Sequence, residues 1–135
     1  MAWSNVWEPR GVCTQFSGFV TAAEYVRSAE DICADPRFDE LCFVIKDLLR
    51  IAGHSIDPEA LDPIAAIRYG ARFTNPNIYL ILLTVDPRLL PFANPQRSSS
   101  LHGLYETRAF ASADAARGWL AAQPALAQRR ATLKP

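Results

Sequence analysis

The sequence has little of several features that would identify a function directly. Lys and Arg number 14, as do Asp and Glu, so the formal net charge is zero. A chain balanced in this way has none of the basic excess that indicates nucleic-acid binding. No G-x-G-x-x-G or G-x-x-x-x-G-K-S/T segment occurs, which excludes the usual glycine-rich phosphate loops. The cysteines form no C-x-x-C pair, which excludes zinc ribbons and thioredoxin-type redox motifs.

Long apolar runs are also missing. The longest one, Ile78 to Val85, is far shorter than the roughly 20 residues that cross a membrane. The first residues lack the basic and apolar regions of a secretory signal. We therefore expect a cytoplasmic protein without an integral membrane segment.

What the sequence does contain is enough apolar material for a core. Its 135 residues correspond to one ordinary domain, and half of them are hydrophobic. We expect a domain over residues 1–122 and a basic, Ala-rich, flexible tail over 123–135. Cys13, Cys33 and Cys42 are predicted to be free thiols buried as small hydrophobic side chains.

Two short apolar runs predict the centre of a β-sheet. Leu41–Ile45 and Ile78–Val85 are almost continuously apolar, as are strands of parallel sheets covered by helices on both faces. Before them, Val6–Glu8 and Val12–Phe19 flank a Pro-Arg-Gly turn and predict an antiparallel hairpin. Leu104–Ala109 alternates in polarity, which predicts an edge strand with one solvated face.

Helix start signals lie between these strands. Thr21 and Glu24 have the spacing of a capping box. Asp57 precedes a proline, a pair that suits the N-cap and first position of a second helix. A short helix is expected around Arg88–Ala93, and Ser112 is the expected cap of a last helix. The sequence therefore predicts an α/β fold with a single mixed, mostly parallel five-stranded sheet and about four helices.

Four segments carry a resemblance to a known family. They are S-G-F-V-T at Ser17–Thr21, C-F-V-I-K-D at Cys42–Asp47, the second-helix region Asp57–Gly70, and R-A-F followed by W-L within Arg108–Leu120. In these segments and in element order, the chain resembles the SpoIIAA-like branch of the STAS superfamily, which consists of short bacterial proteins. The resemblance implies a non-enzymatic binding or regulatory domain that acts through protein–protein contacts or self-association.

The resemblance also implies a switch position. STAS domains are phosphorylated on a Ser or Thr at the start of the second helix, and Asp57 stands at or near that position, with Ser55 just before it. A serine kinase cannot modify Asp57, which leaves two roles for it: a helix cap, or a fixed charge on an interaction surface. Asp62-Pro63 offers a second start for the same helix. The branch is also similar in fold to lipid-binding CRAL-TRIO domains, which implies an alternative role as carrier of a small apolar ligand or lipid, held between the sheet and the second and third helices.

The polar residues of most interest follow the predicted central strands. Open parallel sheets bind ligands beyond the carboxyl ends of their strands. The predicted partner or ligand surface there comprises Asp47, Arg50, His54, Ser55, Asp57, Asp86 and Arg88. Ordinary capping and turn polarity also explain the same residues, and we favour that interpretation. The neighbouring segment Leu89–Phe92 is either a helix that covers the sheet or an exposed contact patch.

His54, Ser55 and Asp57 also contain the letters of a catalytic triad. Residues this close in sequence rarely converge as nucleophile, base and orienting group. The two histidines, His54 and His102, lack the spacing of a helical metal site. We therefore predict no catalytic residue, no cofactor and no metal, and retain as a second alternative an enzyme that uses Asp47, His54 and Asp57.

Overall fold

The secondary structure comes from a computed structural model that describes residues 3–57, 61–71, 73, 75, 78–93 and 106–123. The strands are β1 (Trp3–Glu8), β2 (Gly11–Phe16), β3 (Gly18–Val20), β4 (Phe43–Asp47), β5 (Ile51–His54), β6 (Tyr79–Leu83) and β7 (Glu106–Phe110). The α-helices are α1 (Ala22–Ala34), α2 (Leu61–Ala71) and α3 (Ala113–Ala121), and two 3₁₀ helices cover Pro36–Glu40 and Pro87–Ala93.

Five strands form one sheet in the order β1-β2-β4-β6-β7. β1 and β2 pair antiparallel, and the other neighbouring strands pair parallel. The predicted α/β fold, with a mixed and mostly parallel five-stranded sheet and about four helices, is confirmed. The turn of the hairpin places Arg10 at a φ of 65°, a left-handed conformation that is uncommon for residues other than glycine.

Two strands outside this sheet were not predicted. The expectation of one strand over Val12–Phe19 is wrong, because β2 ends at Phe16 and β3 pairs in parallel with β5 as a separate two-stranded sheet. Gly18 stands at the break with a φ of 66°, a conformation open to glycine at little cost. The consequence for the candidate site is that His54 ends a short strand rather than lying in a loop.

The central strands β4 and β6 are buried on both faces, as predicted. On one face Val44 and Leu80 belong to an apolar cluster beneath α1. On the other face Ile45 and Ile81 pack against α3. The 3₁₀ helix Pro87–Ala93 covers the first face further along, since its residues Leu89 and Phe92 are buried. Of the two roles considered for Leu89–Phe92, the structure therefore shows the covering helix.

The predicted helix caps are present where the structure describes them. The Thr21 hydroxyl accepts from the Glu24 amide at 3.1 Å, and the Glu24 carboxylate accepts from the Thr21 amide at 3.0 Å. The Ser112 hydroxyl accepts from the Ala115 amide at 3.1 Å. The segment between Asp57 and α2 lies outside the described residues, as does 124–135. The Asp57 cap and the flexible tail therefore stay predictions.

Candidate functional site

The polar centre of the candidate site joins the ends of β5 and β6. His54 is the last residue of β5, and Asp86 follows β6 at the start of the second 3₁₀ helix. The imidazole Nε2 lies 3.0 Å from Oδ2 of Asp86, across 32 positions of sequence. The His54 side chain is only 3% exposed, whereas that of Asp86 is 25% exposed.

The hydrogen bonds of His54 define its tautomer. The Ile56 amide donates to Nδ1 at 3.1 Å, so Nδ1 is an acceptor and carries no proton. The proton of the neutral ring is therefore on Nε2, which donates to Asp86. Both ring nitrogens are occupied. The imidazole thus serves to hold two backbone segments together and has no free lone pair for a substrate.

Asp86 connects His54 with Arg88, because its carboxylate accepts hydrogen bonds from both. One carboxylate oxygen accepts from the Arg88 amide at 2.9 Å, and the other accepts from the Arg88 guanidinium at 2.9 Å as well as from His54. The hydrogen bond from the Arg88 side chain is the main reason that the pKa of Asp86 lies well below its ordinary value. The backbone amide of Asp86 donates to the Thr84 hydroxyl at 3.0 Å. The carboxylate is therefore ionised and fixed in place.

An open cleft of about 450 Å³ lies beside this cluster, and we call it the rim cleft. It is lined by His54, Ser55, Ile56, Asp57 and Arg88. This volume falls within the range of small-molecule pockets, roughly 300–1,000 Å³. The charges of Arg88 and its partner Asp86 offset each other, which leaves the exposed carboxylate of Asp57 as the remaining charge among the described lining residues.

Five of the seven predicted surface residues thus come together, and two lie elsewhere. Asp47 has the same strand parity as Ile45 and so lies on the α3 face of β4. Its carboxylate accepts from the Leu49 amide at 3.0 Å and is not part of the rim cleft. The same carboxylate lies near Cys13. The pKa of the Cys13 thiol is raised to about 11, mainly by burial and to a lesser extent by the charge of Asp47. Arg50 is exposed in the turn before β5 and does not line the cleft either.

The sequence-based reasoning missed a buried polar group on the opposite side of β4. Lys46 is 3% exposed, and its ammonium donates to the Ser28 hydroxyl of α1 at 3.1 Å. Ser28 in turn donates to the carbonyl of Tyr25 at 2.6 Å. The Thr14 hydroxyl of β2 lies 3.5 Å from the same ammonium. The one signal in the sequence was a lysine that directly follows the apolar run Leu41–Ile45.

A second, smaller cavity bears on the alternative of an apolar-ligand carrier. It lies between α1 and the sheet, with Ala29, Ile32 and Leu80 among its lining residues. Its volume is about 20 Å³, which accommodates roughly one water molecule. It also lies at α1, whereas the apolar ligand is predicted between the sheet and the second and third helices. The carrier role therefore stays a prediction.

Three findings place limits on the chemistry of the described part of the chain. No three His, Cys, Asp or Glu side chains in the described ranges come together as a metal site. No helix among these residues is long and apolar enough to cross a membrane. Of the three cysteines, Cys13 and Cys42 are buried as predicted, whereas Cys33 is only partly buried. In comparisons with protein-family models, curated proteins and solved structures, nothing matches this chain.

Proposed function

We propose that this protein is a non-enzymatic binding or regulatory domain that engages a protein partner at the rim cleft. The observation that supports this most is the occupied state of His54. A general base needs a nitrogen free to take a proton from the substrate. Here both nitrogens hold the backbone and Asp86 in place. His54 and Asp86, the residues best suited to catalysis, instead hold this surface in a fixed conformation.

The exposed part of the rim cleft is suited to recognition. Ser55 and Asp57 are exposed, and the Arg88 side chain is 72% exposed although its position is held by Asp86. Val85, next to Asp86, is 74% exposed and adds an apolar contact. Polar groups around an apolar residue, set on a rigid base, are the usual composition of a protein-binding patch. The His54–Asp86 hydrogen bond, in which the imidazole is buried, supplies the rigidity.

The family assignment is part of the same proposal. The order of strands and helices supports a SpoIIAA-like, STAS-type domain, in which the start of the second helix is the contact point for partners. Asp57 would then provide a fixed negative charge where STAS domains carry a switchable one. A bacterial, cytoplasmic setting belongs to this proposal as well.

A photo-crosslinking experiment tests the proposed surface. We would place benzoyl-phenylalanine at Ser55 and, as a matched control, at Glu30, which is exposed on α1. After illumination in a lysate of the source cells, Ser55 should give a discrete crosslinked protein, and excess unmodified chain should compete with it. Equal crosslinking from both positions would contradict the proposal.

The competing enzymatic role has its own test. A fluorophosphonate probe should leave the wild-type protein and the Ser55→Ala variant equally unlabelled. Specific labelling of Ser55 would show an activated nucleophile and would refute the non-enzymatic proposal.

The volume of the rim cleft also favours a second candidate function, the binding of a small ligand. Native mass spectrometry distinguishes the two functions. A ligand carrier would retain a bound small molecule, seen as added mass, and the Asp57→Asn or Ser55→Ala variant should retain less of it. A partner-binding domain should show no mass beyond that of the protein chain itself, whether as monomer or dimer.

A further inference from the structure

The two outer strands of the five-stranded sheet differ in how their free edges are protected. β7 carries Glu106 and Arg108, both exposed, and charged side chains on an edge strand disfavour pairing with another chain. β1 has no charged residue from Trp3 to Trp7, and Val6 is 45% exposed. Among the strands that the structure describes, only β2 pairs with β1. The outer edge of β1 therefore offers backbone donors and acceptors to an incoming strand.

The sequence of β1 suits pairing with a copy of itself. The segment W-S-N-V-W is nearly symmetric about Asn5. In an antiparallel pair centred there, Trp3 of one copy lies opposite Trp7 of the other, and Ser4 lies opposite Val6. Aromatic cross-strand pairs stabilise a sheet, whereas like charges directly opposite destabilise it. Neither copy contributes a charge to this symmetric stretch.

We propose that two copies of this chain associate through antiparallel pairing of β1 with β1, which joins two five-stranded sheets into one. The two-fold arrangement uses the same surface on both copies, as closed dimers commonly do. Residues directly opposite in such a pair point to the same face, so the two α1 helices would cover the same side. Because a single strand contributes a small interface, the dimer should be weak and concentration-dependent.

The side chains of β1 are compatible with this pairing. The Asn5 side chain faces inward, where its Oδ1 accepts a hydrogen bond from the Thr14 hydroxyl at 2.7 Å. Trp3 belongs to the core cluster. Neither side chain therefore obstructs the edge of the strand. Glu8 is held by Arg117 of its own chain at 2.6 Å, beyond the symmetric stretch. No residue of β1 lines the rim cleft, so the inference does not rest on the proposed function.

Sedimentation equilibrium over a wide concentration range tests the dimer. The wild-type chain should follow a monomer–dimer equilibrium. Val6→Lys introduces the charge that edge strands use against pairing and should raise the dissociation constant about tenfold or more. Leu90→Lys adds the same charge in the second 3₁₀ helix, at a position exposed to a similar extent (48%), and should leave the dissociation constant unchanged. Thermal melts would establish that both variants are folded.

Cysteine crosslinking tests the register, in a background in which Cys33 is replaced by serine. When Ser4→Cys and Val6→Cys chains are mixed, they should form an intermolecular disulfide, because these positions are opposite. Either variant alone should crosslink poorly, because its two cysteines are offset along the strands beyond disulfide reach. A wild-type chain that stays monomeric at millimolar concentration would overturn the proposal. Equal effects of Val6→Lys and Leu90→Lys, or efficient crosslinking of a single variant, would do the same.

Discussion

The interior of the sheet and the rim around His54 are stabilised in different ways. In the interior, Ile45 and Ile81 each contact many apolar neighbours, and no single contact is essential. At the rim, two backbone segments are joined by individual hydrogen bonds that converge on His54 and Asp86. The interior therefore requires apolar character from its residues, whereas the rim requires particular atoms at particular places. Substitutions in the two regions should differ accordingly in size and in kind.

The largest effect is expected from charge in β6. Leu80 and Leu82 face the α1 side of the sheet, and Ile81 faces α3. Asp at any one of these positions would bury a carboxylate among apolar side chains without a partner, so each variant should fail to fold in soluble form. Soluble expression and circular dichroism provide the measurement. If Asp is tolerated on one face with little loss of stability, that face is not covered by a helical layer.

A smaller interior effect is expected at Gly11. A Cβ at this position would overlap the ring of Phe43, which lies opposite it on β4. Gly11→Ala should therefore lower the free energy of unfolding by about 1–3 kcal/mol. The Phe43→Leu background provides the control, because the same alanine should cost less where the ring is absent. Equal costs in both backgrounds would place the clash elsewhere.

The rim should respond to the loss of His54 but not of its neighbour. His54→Ala removes a buried ring, leaves the Ile56 amide without its acceptor and takes one of the donors from Asp86, at a cost of about 1–3 kcal/mol. Ser55→Ala, at an exposed position, should change stability by less than about 0.5 kcal/mol. Urea unfolding of the two variants makes the comparison. Similar costs would mean that His54 does not hold the rim together.

Substitutions of Asp57 distinguish a structural role of this residue from a role in partner binding. If it caps the second helix, Asp57→Ala should cost about 0.5–2 kcal/mol while Asp57→Asn keeps the hydrogen bond and costs little. Partner crosslinking from Ser55 should then be the same in wild type and Asp57→Asn. A stable Asp57→Asn protein with altered crosslinking would instead identify Asp57 as a charge read by the partner.

The smallest expected effect is a change in the pKa of the Asp86 carboxyl. Its lowered pKa means that the carboxylate stays ionised in acid where an ordinary aspartate is already protonated. The contribution of this group to folding is therefore present above its unfolded pKa and lost only in stronger acid. Arg88→Ala should move the pKa back towards the ordinary value, as followed by NMR of the carboxyl carbon. An unchanged titration in Arg88→Ala would assign the shift to another neighbour.

The same contrast explains what could be predicted from the sequence. The strands β4 and β6 were predictable because their apolar runs are local and continuous. The Thr21 cap was predictable for the same reason, since its partner is only one turn away. The His54–Asp86 contact was not, because nothing local to either residue indicates the other across 32 positions. The division of Val12–Phe19 into two strands was signalled only by Gly18, in a segment that otherwise favours a single strand.

The buried lysine of β4 has a consequence for how the sheet assembles. Lys46 meets the hydroxyls of Thr14 and Ser28 only when β4 is aligned with β2 as observed. A slip by one residue would turn the ammonium to the α3 face, among Ile45's present neighbours such as Cys13 and Leu120. An apolar residue would accept either alignment far more readily. Lys46 thus discriminates against misaligned sheets, so its value to the protein is accuracy of strand alignment more than strength of the fold.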